Sequence, residues 1–310
     1  ACGGDEETTP TSGTAGAATA TGDTGRATAS PTTDTGSEAS SGGRGRGQGD
    51  LLRLLFWQAP TILNTHLATG DKDNMPARLV TEPLLNINPD GSLGPVLAAE
   101  VPSLENGGVA PDGMSVTYKL KQGVVWSDGE PFTAADVLFT FDTVSDPNVD
   151  TPYGSRLQVG GEKVQYEALD DRTVRITMKE PFAPFLFGLS QIGIIPRHLL
   201  ENSADINTDP FNLQPIGTGP YKFVEKQPDQ FVRYERFDNY FKGRPAADGW
   251  TVFYMVDANA GAAALESGEI DMMFTPPEMQ PRYEDDPDYM LLNYVYFTPI
   301  TLAFNHKHPA

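Results

Sequence analysis

A break in composition at residue 50 decides which part of this chain can fold. Of the first 49 residues, 36 are Gly, Thr, Ala or Ser. Such a tract carries too little apolar surface to offset the entropy of ordering it, so residues 1–50 are expected to be a disordered tether. From Leu51 onward the sequence turns to Leu, Val, Phe and Tyr, enough for a sizeable core, so the fold must come from residues 51–310. A flexible coil of about 47 residues spans roughly 35–40 Å root-mean-square, a useful length for holding a folded body off a surface. The tract ends in "GGRGRGQG", which has the glycines of a phosphate loop but precedes the first strand instead of following one, and so reads as linker.

Charge narrows the function classes. Twenty-two Lys and Arg against 42 Asp and Glu leave a net charge of −20, with no basic face for neutralising phosphates, so no nucleic-acid partner is expected. No run of about 18 apolar residues offers a membrane span. The single cysteine, Cys2, can form neither an internal disulfide nor a zinc site. Its neighbours, Ala1 before it and Gly3-Gly4 after it, resemble the end of a bacterial lipobox. On that reading Ala1 is the last residue of a removed signal, and Cys2 is lipidated and anchors the chain to a membrane. The plainer alternative is an ordinary free thiol.

The folded part interleaves strands and helices. "LLRLLFWQAP" reads as a buried strand, "TILNTHLATGDKDNMPA" as a polar loop, "ARLVTEPLLNI" as a short helix, and Asp90-Gly91 as a turn tip. In "MSVTYKLK", Val116, Tyr118 and Leu120 alternate with polar residues, as in a half-buried strand. After the turn Ser127–Glu130, Thr133 and Asp136 stand at capping-box spacing, and Val137, Phe141 and Val144 form one apolar helix stripe. "DDRTVRITMKE" predicts another strand, and "IIPRHLL" a turn and short helix. "PYKFVEK", "QFVRYERF" and "GWTVFYMV" predict three successive strands, "ANAGAAALESGEIDMMF" a helix, glycine turn and strand, and "YMLLNYVYFTPITLAFN" one or two more. This pattern predicts an α/β or α+β fold with a mixed sheet.

Chemistry is sparse. None of the four histidines (His66, His198, His306 and His308) lies in a metalloprotease or hydrolase motif. His198 reads as a helix-end residue. His306 and His308 make at most a weak metal pair without carboxylate or thiolate company, and no metal or other cofactor is expected. The acidic stretch "YEDDPDY" reads as a solvated loop. Nothing specific in the residues supports an enzyme, and no catalytic residue is expected.

Five segments together resemble the family-5 extracytoplasmic solute-binding proteins of ABC transporters, the peptide, oligopeptide and nickel-binding group. They are "LVTEPLLNINPDGSLGPVLAAEVPSL", "SVTYKLKQGVVWSDGEPFTAADVLFTFD", "NLQPIGTGPYKF", "FDNYFKGRP" and "LESGEIDMMFTPP". They follow the family order across residues 51–310. Trp126 stands where the family commonly has Phe, and Leu63-Asn64-Thr65 where it has Leu-Asp-Pro, so the loop after the first strand is expected to sit differently.

The resemblance implies a periplasmic-binding-protein-like fold of two lobes that close on a ligand. Only the first lobe and its extra subdomain are expected in this sequence, which reads as a fragment. Residues 51–96 and 215–310 would form the ligand-facing lobe, and 97–214 the extra subdomain. The implied function is capture of a ligand, a peptide first of all, by lobe closure outside the cytoplasm, and delivery to an ABC transporter permease. A ligand-sensing receptor lobe that docks to a signalling partner is the alternative. The resemblance further puts Thr69, Gly70 and Asp71, and Phe274 and Thr275, at ligand-contacting positions. Read alone, Thr69–Asp71 is equally a polar loop and Phe274 equally a core residue.

Overall fold

The computed structural model describes residues 51–292. Cys2, His306 and His308 lie outside that range, as do the strands expected after Tyr289, apart from Met290–Leu292. In chain order the elements are β1 (Leu51–Phe56), α1 (Asp71–Ala77), β2 (Leu85–Ile87), β3 (Leu93–Pro95), β4 (Ser115–Lys119), α2 (Ala134–Ser145), β5 (Gln158–Val159), β6 (Glu162–Lys163), β7 (Gln165–Asp170) and β8 (Thr173–Thr177). There follow α3 (Phe185–Leu189), α4 (Arg197–Leu200), β9 (Tyr221–Gln227), β10 (Phe231–Arg236), β11 (Gly249–Tyr254), α5 (Ala258–Ser267) and β12 (Met272–Met273).

The larger sheet is mixed, with strand order β12-β1-β11-β10-β9. β1 runs parallel to both β11 and β12, while β10 is antiparallel to β11 and β9. With a partner on each side, β1 alternates its side chains between two buried faces. Phe56 enters a core with Leu63, Val80, Val232 and Val252, whereas Leu55 packs with Ala264 of α5, Ile270 and Phe253. Asp257 caps α5 by accepting from Ala260 N at 2.9 Å, and Gly268 ends the helix at φ +76°, a left-handed turn that glycine adopts without strain.

The smaller antiparallel sheet, β4-β8-β7, covers the largest core. Tyr118, Trp126, Phe141, Leu157, Ile176 and Phe185 are all at most 2% exposed there. The α2 stripe faces this core as expected, with Val137, Phe141 and Val144 buried. The capping box forms, and its carboxylate does a second job. Asp136 Oδ2 accepts from Thr133 N at 2.8 Å, while Oδ1 accepts from Arg197 N at 3.0 Å, so one side chain fixes the starts of both α2 and α4.

One expectation fails between residues 61 and 87. The loop predicted over 61–77 contains α1, whereas of the helix predicted over 77–87 only Ala77 is helical; 78–80 form a turn and the chain then runs out into β2. Asp71 and Asp73 stand in the first turn of α1, where the helix dipole favours them, and Pro76 in its last turn has no N–H to donate back to Lys72 O. Beyond it, neighbouring segments take the backbone groups a helix would need. Leu79 O accepts from Tyr221 N at 3.1 Å, Val80 O from Gly219 N at 2.8 Å, Glu82 O from Ile194 N at 2.9 Å and Leu84 O from Val96 N at 3.0 Å. Val80 belongs to the core of the mixed sheet and Leu84 and Leu85 to the core of the small one, so residues 79–85 form a seam between them. Here the "GTG" of 217–219 has a steric cause: a Cβ on Gly219 would sit 2.6 Å from Val80 O, and one on Gly217 would overlap the same carbonyl.

Candidate functional site: the carboxyl edge of the mixed sheet

Because β1, β11 and β12 are parallel, their carboxyl ends meet at one edge. Phe56 pairs in register with Tyr254, and Leu55 with Met273. The residues that leave these strands are therefore neighbours: Trp57 after β1, Met255 and Val256 after β11, Phe274 and Thr275 after β12. Met255 N donates to Phe56 O at 3.0 Å and holds the edge together. Phe56 stacks on Trp57 with ring centroids 4.5 Å apart, and Phe274 meets both edge-on, at 4.7 Å and 5.2 Å. Trp57 remains 43% exposed and Val256 88% exposed. An aromatic shelf left open at the carboxyl ends of parallel strands is where open α/β sheets bind ligands.

The loop leaving β1 is held from beneath. Asp73, in the first turn of α1, is buried and accepts from Thr61 N at 2.7 Å, Ile62 N at 3.2 Å and Lys72 Nζ at 2.8 Å. Lys226 Nζ donates to Pro60 O at 2.7 Å, and burial pulls its pKa below the ordinary lysine value. Burial, and after it the charge of Asp73, push the Tyr254 phenol up. Asn64, standing where the resembled family has Asp, donates through Nδ2 to Asn212 Oδ1 at 2.8 Å, a bond a carboxylate could not make.

The five ligand-contact residues of the sequence reading fall into two groups. Phe274 and Thr275 lie at the aromatic edge, half-buried, with Phe274 in the ring cluster. Thr69, Gly70 and Asp71 stand at the start of α1, Thr69 and Asp71 exposed, with Gly70 O accepting from Asp73 N and Asn74 N. Sequence reasoning missed Phe56, Trp57, Met255 and Val256 as edge residues. The available signal was a tryptophan directly before Gln58-Ala59-Pro60, which stops the strand; the strand register that exposes it was not available.

The remaining polar side chains are structural. His198 Nε2 pairs with Asp128 Oδ2 at 2.8 Å and ties α4 to the turn before α2. Glu82 is buried on the seam, where Tyr240 OH donates to it at 2.5 Å and Lys242 lies at 3.6 Å; burial raises its pKa against their pull. Among the described residues no group of three or more His, Cys, Asp or Glu is placed to hold a metal, and no helix is long and apolar enough to cross a membrane.

Comparison with known proteins identifies the family and the fold. Residues 93–310 match the family described as bacterial extracellular solute-binding proteins, family 5, middle region, and the chain belongs to that family. It is 34% identical over 227 residues to protein XP55 of Streptomyces lividans, covering 73% of this chain and 39% of that one. Among solved structures, the ABC transporter substrate-binding protein CtaP of Listeria monocytogenes superposes with a TM-score of 0.70 at 32% identity, over 76% of this chain and 46% of that one. The oligopeptide-binding protein AppA of Bacillus subtilis, solved with a nonapeptide, gives 0.69 at 28% identity, over 77% and 47%. The chain thus spans about two fifths of that curated relative and just under half of these solved chains. Its relatives and fold neighbours are solute-binding proteins, not enzymes.

Proposed function

We propose that the chain is part of an extracytoplasmic solute-binding protein that captures a peptide by lobe closure and presents it to the permease of an ABC importer. The observation that carries this reading is the Trp57 ring, 43% exposed where parallel strands end and backed by the buried Phe56 and half-buried Phe274. In this reading 51–96 and 215–310 form the ligand-facing lobe and 97–214 a supporting subdomain. Phe274, Thr275, Thr69, Gly70 and Asp71 line the ligand wall, with main-chain groups pairing to an extended peptide and aromatic faces packing against it. Cys2 carries a lipid anchor, and the 1–50 tract lets the folded body swing clear of the membrane. The peptide class is supported by the nonapeptide complex of the AppA neighbour.

The test is a thermal-shift panel on the full natural protein containing this chain, against peptide pools, oligosaccharides and nickel. A ligand at 100 times its Kd adds about 2.7 kcal/mol, a shift of several degrees. A shift with peptides alone supports the reading. A shift with oligosaccharides or nickel alone overturns the peptide assignment, and turnover of any component overturns the binding role.

A further inference from the structure

His66 is the most deeply buried ionisable imidazole in the described chain, at 0% exposure, and the ligand reading leaves it no task. It sits in the loop that leaves β1, but its bond goes elsewhere. Nε2 lies 2.6 Å from Gly193 O, in the segment between α3 and α4. A carbonyl can only accept, so Nε2 carries the proton, and in the neutral ring Nδ1 is left with its lone pair. Nδ1 is buried and has no hydrogen-bond partner among the described residues. The contact is tight on the Gly193 side too: a Cβ there would stand 2.6 Å from Thr81 Cγ2 and 2.8 Å from Thr65 Oγ1. Gly193 also bridges to Pro83, and Ile194 N donates to Glu82 O, so His66 closes onto the seam between the two cores.

The geometry points to His66 as a proton-operated clasp that holds the β1 loop onto the small-sheet core when neutral and releases it when protonated. A second N–H at Nδ1 would be a buried donor and a buried charge with no acceptor, and both are costly. The surroundings offer no counter-charge. Tyr153, between α2 and β5, meets the ring edge-on at 6.5 Å; Thr65, Thr81, Asn64 and Asn212 carry no charge. The acidic groups on the packed segments are engaged elsewhere, Glu82 with Tyr240 and Lys242, and Asp209 with Phe211 N and Ser203 Oγ. Burial accordingly lowers the His66 pKa to about 4, against a smaller raising effect of the Gly193 carbonyl. The released element is the loop between the aromatic edge and Thr69–Asp71, so acid would unfasten that loop whatever ligand the protein takes.

The experiment is hydrogen exchange on the full chain from pH 7 to pH 4.5, corrected for intrinsic rates and followed in peptides covering 61–70 and 191–196. In the wild type, protection should fall on the order of 50-fold across that range, because opening takes up a proton that the closed state refuses. His66→Gln can still donate to Gly193 O but cannot titrate, and its protection should stay nearly flat. An equal fall in both proteins overturns the clasp. As a check that needs no change at His66, the variant H198Q/H306Q/H308Q leaves His66 as the single imidazole of the chain. Its ring should titrate in NMR spectra with a midpoint near 4, and an ordinary midpoint near 6.5 overturns the proposal.

Discussion

The five-stranded and three-stranded sheets place their large aromatics differently. The three-stranded sheet buries its own: Tyr118, Trp126 and Phe141 disappear between β4, β8 and α2, Asp136 locks the helix starts around them, and the apolar side chains left in solvent there, such as Leu169 and Phe187, lie apart. The mixed sheet buries Leu55 and Phe56 on its two faces yet leaves Trp57, Met255 and Val256 in solvent at one edge. Scattered exposed apolar residues need no explanation, but here Trp57, Met255 and Val256 stand together at the joint end of parallel strands, with Phe56 and Phe274 beneath them in the core. One core closes on itself, and the other ends in an edge that, on the proposed function, a ligand covers.

That contrast can be broken most severely from the sealed side. Phe141→Ala removes a fully buried ring from the small-sheet core and should cost about 3–5 kcal/mol, read from urea unfolding. Unchanged stability would mean that this core is not closed. A swing of similar size should come from pH. The folded pKa of His66 lies below its unfolded value, so neutral His66 costs nothing above pH 6.5; stability should then fall between about pH 6.5 and 4, by roughly 3 kcal/mol in all, as the unfolded chain takes up the proton first. His66→Gln should flatten that part of the stability profile. Next comes Gly217→Ala, which forces a Cβ against the Val80 carbonyl on the seam and should cost about 1–3 kcal/mol in thermal melts. Asp136→Ala, which uncaps α2 and frees the Arg197 amide, should cost about 0.5–2 kcal/mol. The smallest effect belongs to His198→Ala. It breaks a half-exposed pair with Asp128 and should change stability by less than about 1 kcal/mol.

Much of the sealed region was legible in the sequence, because its signals are local. The period-2 run at 115–120, the Thr133 and Asp136 spacing and the Val137–Val144 stripe each specify their element from a few adjacent residues. The seam was not legible. "ARLVTEPLLNI" has helix-like spacing, but its carbonyls are claimed by Gly219, Tyr221, Ile194 and Val96, residues distant in sequence. The same holds for the edge. Phe274 and Thr275 were visible through resemblance, whereas Trp57 looked like the continuation of a buried strand until the pairing of Leu51–Phe56 with Gly249–Tyr254 showed where that strand stops. His66 could not be read as buried either, since its burial depends on Gly193 having no side chain.

The account stands or falls on whether the exposed edge is where ligand docks. The direct measurement compares peptide-induced thermal shifts in the full natural protein for wild type, Trp57→Ala and Phe187→Ala; Phe187 is a similarly exposed aromatic on α3, at 44% against 43%. The account predicts a shift that survives Phe187→Ala and is lost in Trp57→Ala, with both variants melting close to wild type when no peptide is present. A full shift in Trp57→Ala would contradict it, and loss of the shift in Phe187→Ala alone would move the binding face to α3.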